Sequence, residues 1–208
     1  MLYTMSGPSI IIVTALISFG LLKKTSAKSS TARFFLFLFF TTNACIAVSY
    51  LTVGPLLGFG DWMDLAQILP NPGIARGLLT VTGALATWGL LLIVNRQFAQ
   101  FVSQAPGDKV RVAFGISWTC FLTMGVLGLV AGLLSPVGLG NPTEIFLLLG
   151  QSFSACWILF LAAGRVASTE YSDSIASWVG IGPSNTWVIS GVVVSAVFVF
   201  GFGLGIGP

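Results

Sequence analysis

Few side chains in this 208-residue sequence can do chemistry, and the clearest pair lies in the stretch GPLLGFGDWMDL, residues 54–65. There Asp61 and Asp64 flank Trp62 and Met63 directly after a long apolar run. Two carboxylates can hold a divalent cation, but a hard-metal site needs more oxygen ligands than this segment supplies. As a catalytic pair they would need burial in an apolar span, which a loop does not provide. The third reading accounts for every residue type present. Gly54-Pro55 ends a helix, the following glycines allow a turn, and Asp61 caps a short helix at the membrane boundary.

Histidine is absent from the whole sequence. That removes the usual general base, the commonest metal ligand and the His-Glu-x-x-His zinc motif. An autonomous zinc enzyme is thereby excluded. Haem or chlorophyll would need an unusual axial ligand, such as Asn43, Gln151, a backbone carbonyl or water. Cys45, Cys120 and Cys156 lie in three different apolar segments without the close pairing of zinc or iron–sulfur sites. They read as buried packing residues. No cofactor is expected, although pigment or lipid binding without a histidine ligand stays open.

Asn43 and Gln151 fall near the middle of apolar segments, where polar side chains either line a path or bond neighbouring helices. No ionisable group accompanies them, so the helix-bonding reading is preferred. All six acids stand in loops or at segment boundaries, which counts against a proton- or ion-coupled pump.

The elements that carry these residues follow from composition. Hydrophobic residues make up 55% of the chain and charged residues 7%, with a mean hydropathy of +0.97. A soluble domain carries about 25% charged residues, so this is an integral membrane protein. Crossing the hydrocarbon takes about 20 mainly apolar residues. Six segments qualify or nearly do: 9–22, 34–53, 77–94, 112–134, 145–163 and 186–205. Each is expected to be an α-helix, because backbone groups in lipid must be satisfied internally. The expected architecture is all-α, a single transmembrane bundle over residues 1–208.

Eight of the nine basic residues lie between segments 1 and 2, between 3 and 4, or after segment 5; only Arg76 lies on the other side. That bias puts the first, third and fifth loops in the cytoplasm and both termini outside, with the Asp61 loop. A nucleic-acid partner would need a dense basic surface, which is absent. The first segment is about 21 Å long when counted from Ser9, so either it starts earlier and bends at Gly7-Pro8 or Met1 is not the natural beginning. Phe98, Phe101 and Val102 continue the third helix before APGDK turns the chain. Ile175, Trp178 and Val179 mark a short interfacial helix, and Trp62, Trp178 and Trp187 sit near boundaries, where aromatic belts form.

Gly54 and Gly58, Gly128 and Gly132, and Gly201 and Gly205 have the small-xxx-small spacing that permits close helix approach. The tail VFVFGFGLGIGP packs either within one bundle or against another protein. VGPLLGFGDW and LSPVGLGNPTE share a proline, then glycines, then polar residues; they read as two unrelated helix exits or as a parallel repeat.

The stretch TTNACIAVSYLTVGPLLGFGDWMDL, with Asn43, Tyr50, Gly60, Asp61 and Trp62, resembles the middle of bacterial site-2-protease-like membrane proteins of the M50 group. Arg76, Gly83 and SPVGLG at 135–140 continue the likeness, and SGPSIIIVTALISFGLL resembles the helix after that family's zinc-binding helix. The resemblance implies a bacterial inner membrane, cytoplasmic or intracytoplasmic. The family's zinc helix would lie before Met1, so no catalytic or metal residue carries over to this sequence. The expectation is a non-catalytic membrane subunit or scaffold whose partners are lipids and other integral membrane proteins. A pseudoprotease or an accessory subunit of a photosynthetic or respiratory assembly would fit. A small membrane transporter or channel, and a fragment of an M50-like intramembrane metalloprotease, are the alternatives.

Overall fold

The computed structural model describes residues 6–25, 30–58, 61–102, 108–134 and 142–166. These form six helices: α1 (Ser6–Lys24), α2 (Ser30–Leu57), α3 (Asp61–Ile68), α4 (Pro72–Val102), α5 (Lys109–Leu134) and α6 (Pro142–Val166). No strand occurs among the described residues. Among the described residues, three stretches are long and apolar enough to cross a membrane: Thr31–Leu57, Pro72–Val102 and Lys109–Val130. The expected sixth segment, 186–205, lies outside the described residues, as do Ile175, Trp178, Val179 and Trp187.

Helix starts follow capping chemistry. Asn71 precedes Pro72; its Oδ1 accepts from the Ile74 N–H (3.4 Å) and its carbonyl from the Ala75 N–H (3.0 Å). Asparagine at the cap with proline in the first helical position satisfies one orphan amide and removes another. Asp108 does the same for α5, its Oδ1 accepting from the N–H groups of Val110 (2.9 Å) and Arg111 (3.4 Å). Pro8 falls in the first turn of α1, a position whose missing N–H costs no helical bond.

α2 and α4 pack antiparallel to each other. Phe34 meets Phe101 at 5.5 Å between ring centroids and Phe37 meets Phe98 at 5.9 Å, while Thr52 meets Gly83 further along. Each residue gained along α2 is matched by one lost along α4, so a single register holds over about five turns. α1 lies on α2, with Phe19 against Phe40 at 4.8 Å. α6 packs on α2, α4 and α5, and the α5–α6 seam carries the pairs Phe114–Phe160 and Phe121–Phe153. Among the described residues, this arrangement gathers Lys23, Lys24, Arg33, Arg96, Lys109, Arg111 and Arg165 at one end, and leaves Arg76 at the other.

The core lies toward the basic end. Phe37, Val94, Phe98, Val102, Ile158 and Leu159 are fully buried there, and Ala15, Ala44, Ala99, Ala162 and Ala163 let the helices approach. In the other half, Leu78, Val81, Leu85, Leu122 and Val126 point outward. Hydroxyls on the helices bond back to their own turns: Thr52 to the Val48 carbonyl (2.6 Å), Ser117 to Ala113 (3.0 Å) and Thr119 to Gly115 (2.8 Å).

Gly83 is the tightest point. A Cβ there would lie 2.8 Å from the Thr52 backbone nitrogen and 2.9 Å from its Cα. Backbone cannot step aside as a side-chain end can, so α2 and α4 would have to separate. Replacing Gly83 with alanine should therefore destabilise the protein by about 1–3 kcal/mol in detergent unfolding followed by circular dichroism. The same change at Gly77 or Gly89, where a Cβ meets nothing within 4 Å, should be neutral or mildly stabilising.

Candidate functional site

The region around Asp61 is built by the end of α2, the short α3 and the start of α4. Gly54-Pro55 does not end the helix, contrary to the sequence reading. Pro55 lies inside α2, which runs to Leu57. A proline there forfeits one amide bond and bends the helix without stopping it. The terminator is Gly58, in the left-handed region at φ 81°, whose N–H donates to the Gly54 carbonyl at 2.9 Å. That is the single-bond glycine cap of a helix C-terminus.

Arg76, in the first turns of α4, completes the cap. Its Nε donates to the Pro55 carbonyl at 3.0 Å and its Nη2 to the Leu56 carbonyl at 3.3 Å. Of the four carbonyls a helix end leaves open, those of Gly54, Pro55 and Leu56 are thus occupied. The guanidinium also sits at the negative end of the α2 dipole. The same side chain ties α4 to α2 across the mouth of the loop.

Asp61 is the first residue of α3, and its backbone N–H donates to the Tyr50 hydroxyl at 3.1 Å. The expected side-chain cap by Asp61 is thereby corrected: Asp61 stands within the first turn, together with Asp64, where negative charge favours a helix N-terminus. Asp61 and Trp62 are half-buried and Asp64 is exposed. Among the described residues, no three of histidine, cysteine, aspartate and glutamate come together to hold a metal ion. The arrangement is a structural clasp made of Tyr50, Gly58, Asp61 and Arg76.

A second polar link joins α2 to α6. Trp157 Nε1 donates to Ser49 Oγ at 3.1 Å, and Ser49 Oγ donates to the Ser154 carbonyl at 3.5 Å. Sequence reasoning missed both Ser49 and Trp157; a serine one turn from Cys45 carried no signal of its own. Among the described residues, Asn43 bonds within its own helix. Its Nδ2 donates to the Phe39 carbonyl of its own helix at 2.8 Å. The Gln151 side chain lies outside the described residues, as do Gly201 and Gly205. Gly128 is half-buried on α5, four residues from Gly132 near the helix end. Thr41 is fully buried with an unpartnered hydroxyl, and Cys45 and Cys156 are buried free thiols. Compared with protein-family models, curated proteins and solved structures, the chain matches none.

Removing the Arg76 donors should open the clasp. Arg76→Met should cost about 1–3 kcal/mol by leaving two carbonyls unsatisfied and should speed amide exchange at Leu57 and Gly58. Tyr50→Phe loses one bond and should cost about 0.5–1.5 kcal/mol. Equal exchange rates in all three proteins would refute the clasp. For the other link, a Ser49→Ala, Trp157→Phe double-mutant cycle should give a coupling near 0.6 kcal/mol, the average for hydrogen bonds between membrane helices.

Proposed function

We propose that this chain is a six-span membrane bundle acting as a non-catalytic subunit or scaffold that packs against lipids and other integral membrane proteins. The observation that carries the proposal is the outward face of the helices. Ile10, Leu16, Leu78, Leu85, Leu122 and Val126 project from α1, α4 and α5, with Leu85 at 69% exposure. A water-soluble surface does not tolerate apolar faces on this scale. Lipid or neighbouring helices would cover them, with α1 held mainly by α2 and α5 mainly by α6. Near Asp61 the Arg76 guanidinium and the Tyr50 hydroxyl are bonded to backbone groups, which favours a structural role for this end of the bundle.

The basic end would face the cytoplasm and the Asp61 clasp the outside, because seven cations gather at one end and Arg76 alone lies at the other among the described residues. The likeness to site-2-protease-like proteins supports a pseudoprotease scaffold in a bacterial inner membrane. An accessory role in a respiratory or photosynthetic assembly fits the same features. A transport reading draws on the buried, unpartnered Thr41 hydroxyl; the Asn43 amide, bonded within its own turn, weighs against a polar path.

Purification in a gentle detergent, followed by native mass spectrometry, tests the proposal. The expected result is an assembly containing other membrane proteins; a lone, monodisperse chain that transports solute in liposomes would contradict it. Orientation is checked separately with a membrane-impermeant thiol reagent on intact cells. Cysteine at Asp64 should label from outside, and cysteine at Lys109 only after permeabilisation.

A further inference from the structure

The clasp carries more exposed apolar surface than a water-facing loop should. Leu56 and Leu57 at the end of α2, Ile68 and Leu69 at the end of α3, and Ile74 at the start of α4 are all between 45% and 66% exposed. Against these five aliphatic side chains, the clasp segment 54–76 has three charged residues: Asp61, Asp64 and Arg76. The Arg76 guanidinium is turned inward onto the Pro55 and Leu56 carbonyls. What faces outward is therefore mostly hydrocarbon.

We propose that this clasp is sunk into the boundary of the outer leaflet, with Leu56, Leu57, Ile68, Leu69 and Ile74 embedded among the upper acyl chains. The inference rests on the membrane reading given above and adds a lipid contact at the loop itself. Continuity argues for lipid as the occupant. Val53 and Leu56 prolong the apolar outer face of α2, and Ile74, Leu78, Val81 and Leu85 form one exposed run along α4. The apolar ledge is the end of that surface rather than a separate patch. The residue types agree with this depth. α3 places Asp61 and Asp64 in its first turn and ends at Ile68, with Leu69 following, a short amphipathic element of the kind that lies in the interface with its apolar side about 5–10 Å into the headgroup and acyl boundary. Trp62 lies within it and Tyr50 against its start, the aromatic types found at that level. Arg76 can sit so near hydrocarbon because carbonyls satisfy two of its donors.

The test is spin-label accessibility in the full chain reconstituted into phosphatidylcholine–phosphatidylglycerol vesicles. Nitroxides are placed singly at Leu57→Cys, Ile68→Cys and Leu85→Cys in a Cys120→Ala background, with the unsubstituted background reporting any labelling of the buried Cys45 and Cys156. Collisions with lipid-soluble oxygen are compared with collisions with a water-soluble nickel chelate. At 57 and 68 oxygen should exceed nickel, with a depth of about 5–10 Å below the phosphates, and position 85 should be deeper still. Nickel access at 57 and 68 with oxygen access at 85 would overturn the inference and leave the membrane reading standing. Nickel access at 85 would overturn both. Shielding of 57 and 68 from both reagents would mean that protein covers the ledge, and would overturn the lipid assignment.

Discussion

A helix end leaves carbonyls with no donor within the helix, and the structure turns on how α2 meets that constraint. Gly58 closes the first of these carbonyls and Arg76 the next two. Because Arg76 belongs to α4, satisfying the end of α2 also fixes where α4 begins. The Thr52–Gly83 contact and the Phe37–Phe98 stack then follow in one register down the seam. The remaining helices are arranged on that pair: α1 against Phe40, α6 through Ser49 and Trp157, and α5 on the far side of α6. Asp61 serves this scheme through its backbone, which bonds Tyr50, and through first-turn charge on α3.

Packing in the bundle relies on small side chains more than on large ones in its crossing points. Alanines at positions 44, 99, 162 and 163 line the buried core, and one glycine brings two backbones into contact. This is the membrane solution to helix association, in which close approach replaces the hydrophobic driving force that lipid removes. Large apolar residues are instead shared between an aromatic core near the basic end and the outer surface. Polar side chains along the helices are mostly turned to carbonyls of their own turn, so they cost little in an apolar surround.

Much of this was legible in the sequence because lipid imposes a coarse rule. Charge-poor apolar runs marked the cores of α2, α4 and α5, and the spacing of Phe98, Phe101 and Val102 marked the extension of α4, where all three are buried. Finer features escaped for physical reasons. Pro55 looked like a terminator because proline lacks an amide, yet a helix can lose one bond and go on to Leu57. Gly83 has no glycine four residues away, so a paired-glycine rule passes over it; its role comes from the Thr52 backbone opposite, which only the fold supplies. Arg76 stood out as an isolated charge, and its partners are main-chain atoms, which no residue pattern reveals. Asn43 was read as a link between helices, and a nearer acceptor in its own turn takes its amide instead.

The central claim is the single antiparallel register of α2 against α4, and disulfide trapping in native membranes tests it most directly. Interpolating between Phe37–Phe98 and Thr52–Gly83 places Val48 opposite Thr87. In a background with Cys45, Cys120 and Cys156 changed to alanine, paired cysteines at Val48 and Thr87 should cross-link rapidly under mild oxidation. Pairs of Val48 with Leu91 and of Ala44 with Thr87, one turn out of register in opposite directions, should not. Preferred cross-linking of either shifted pair would contradict the register and the clasp built on it.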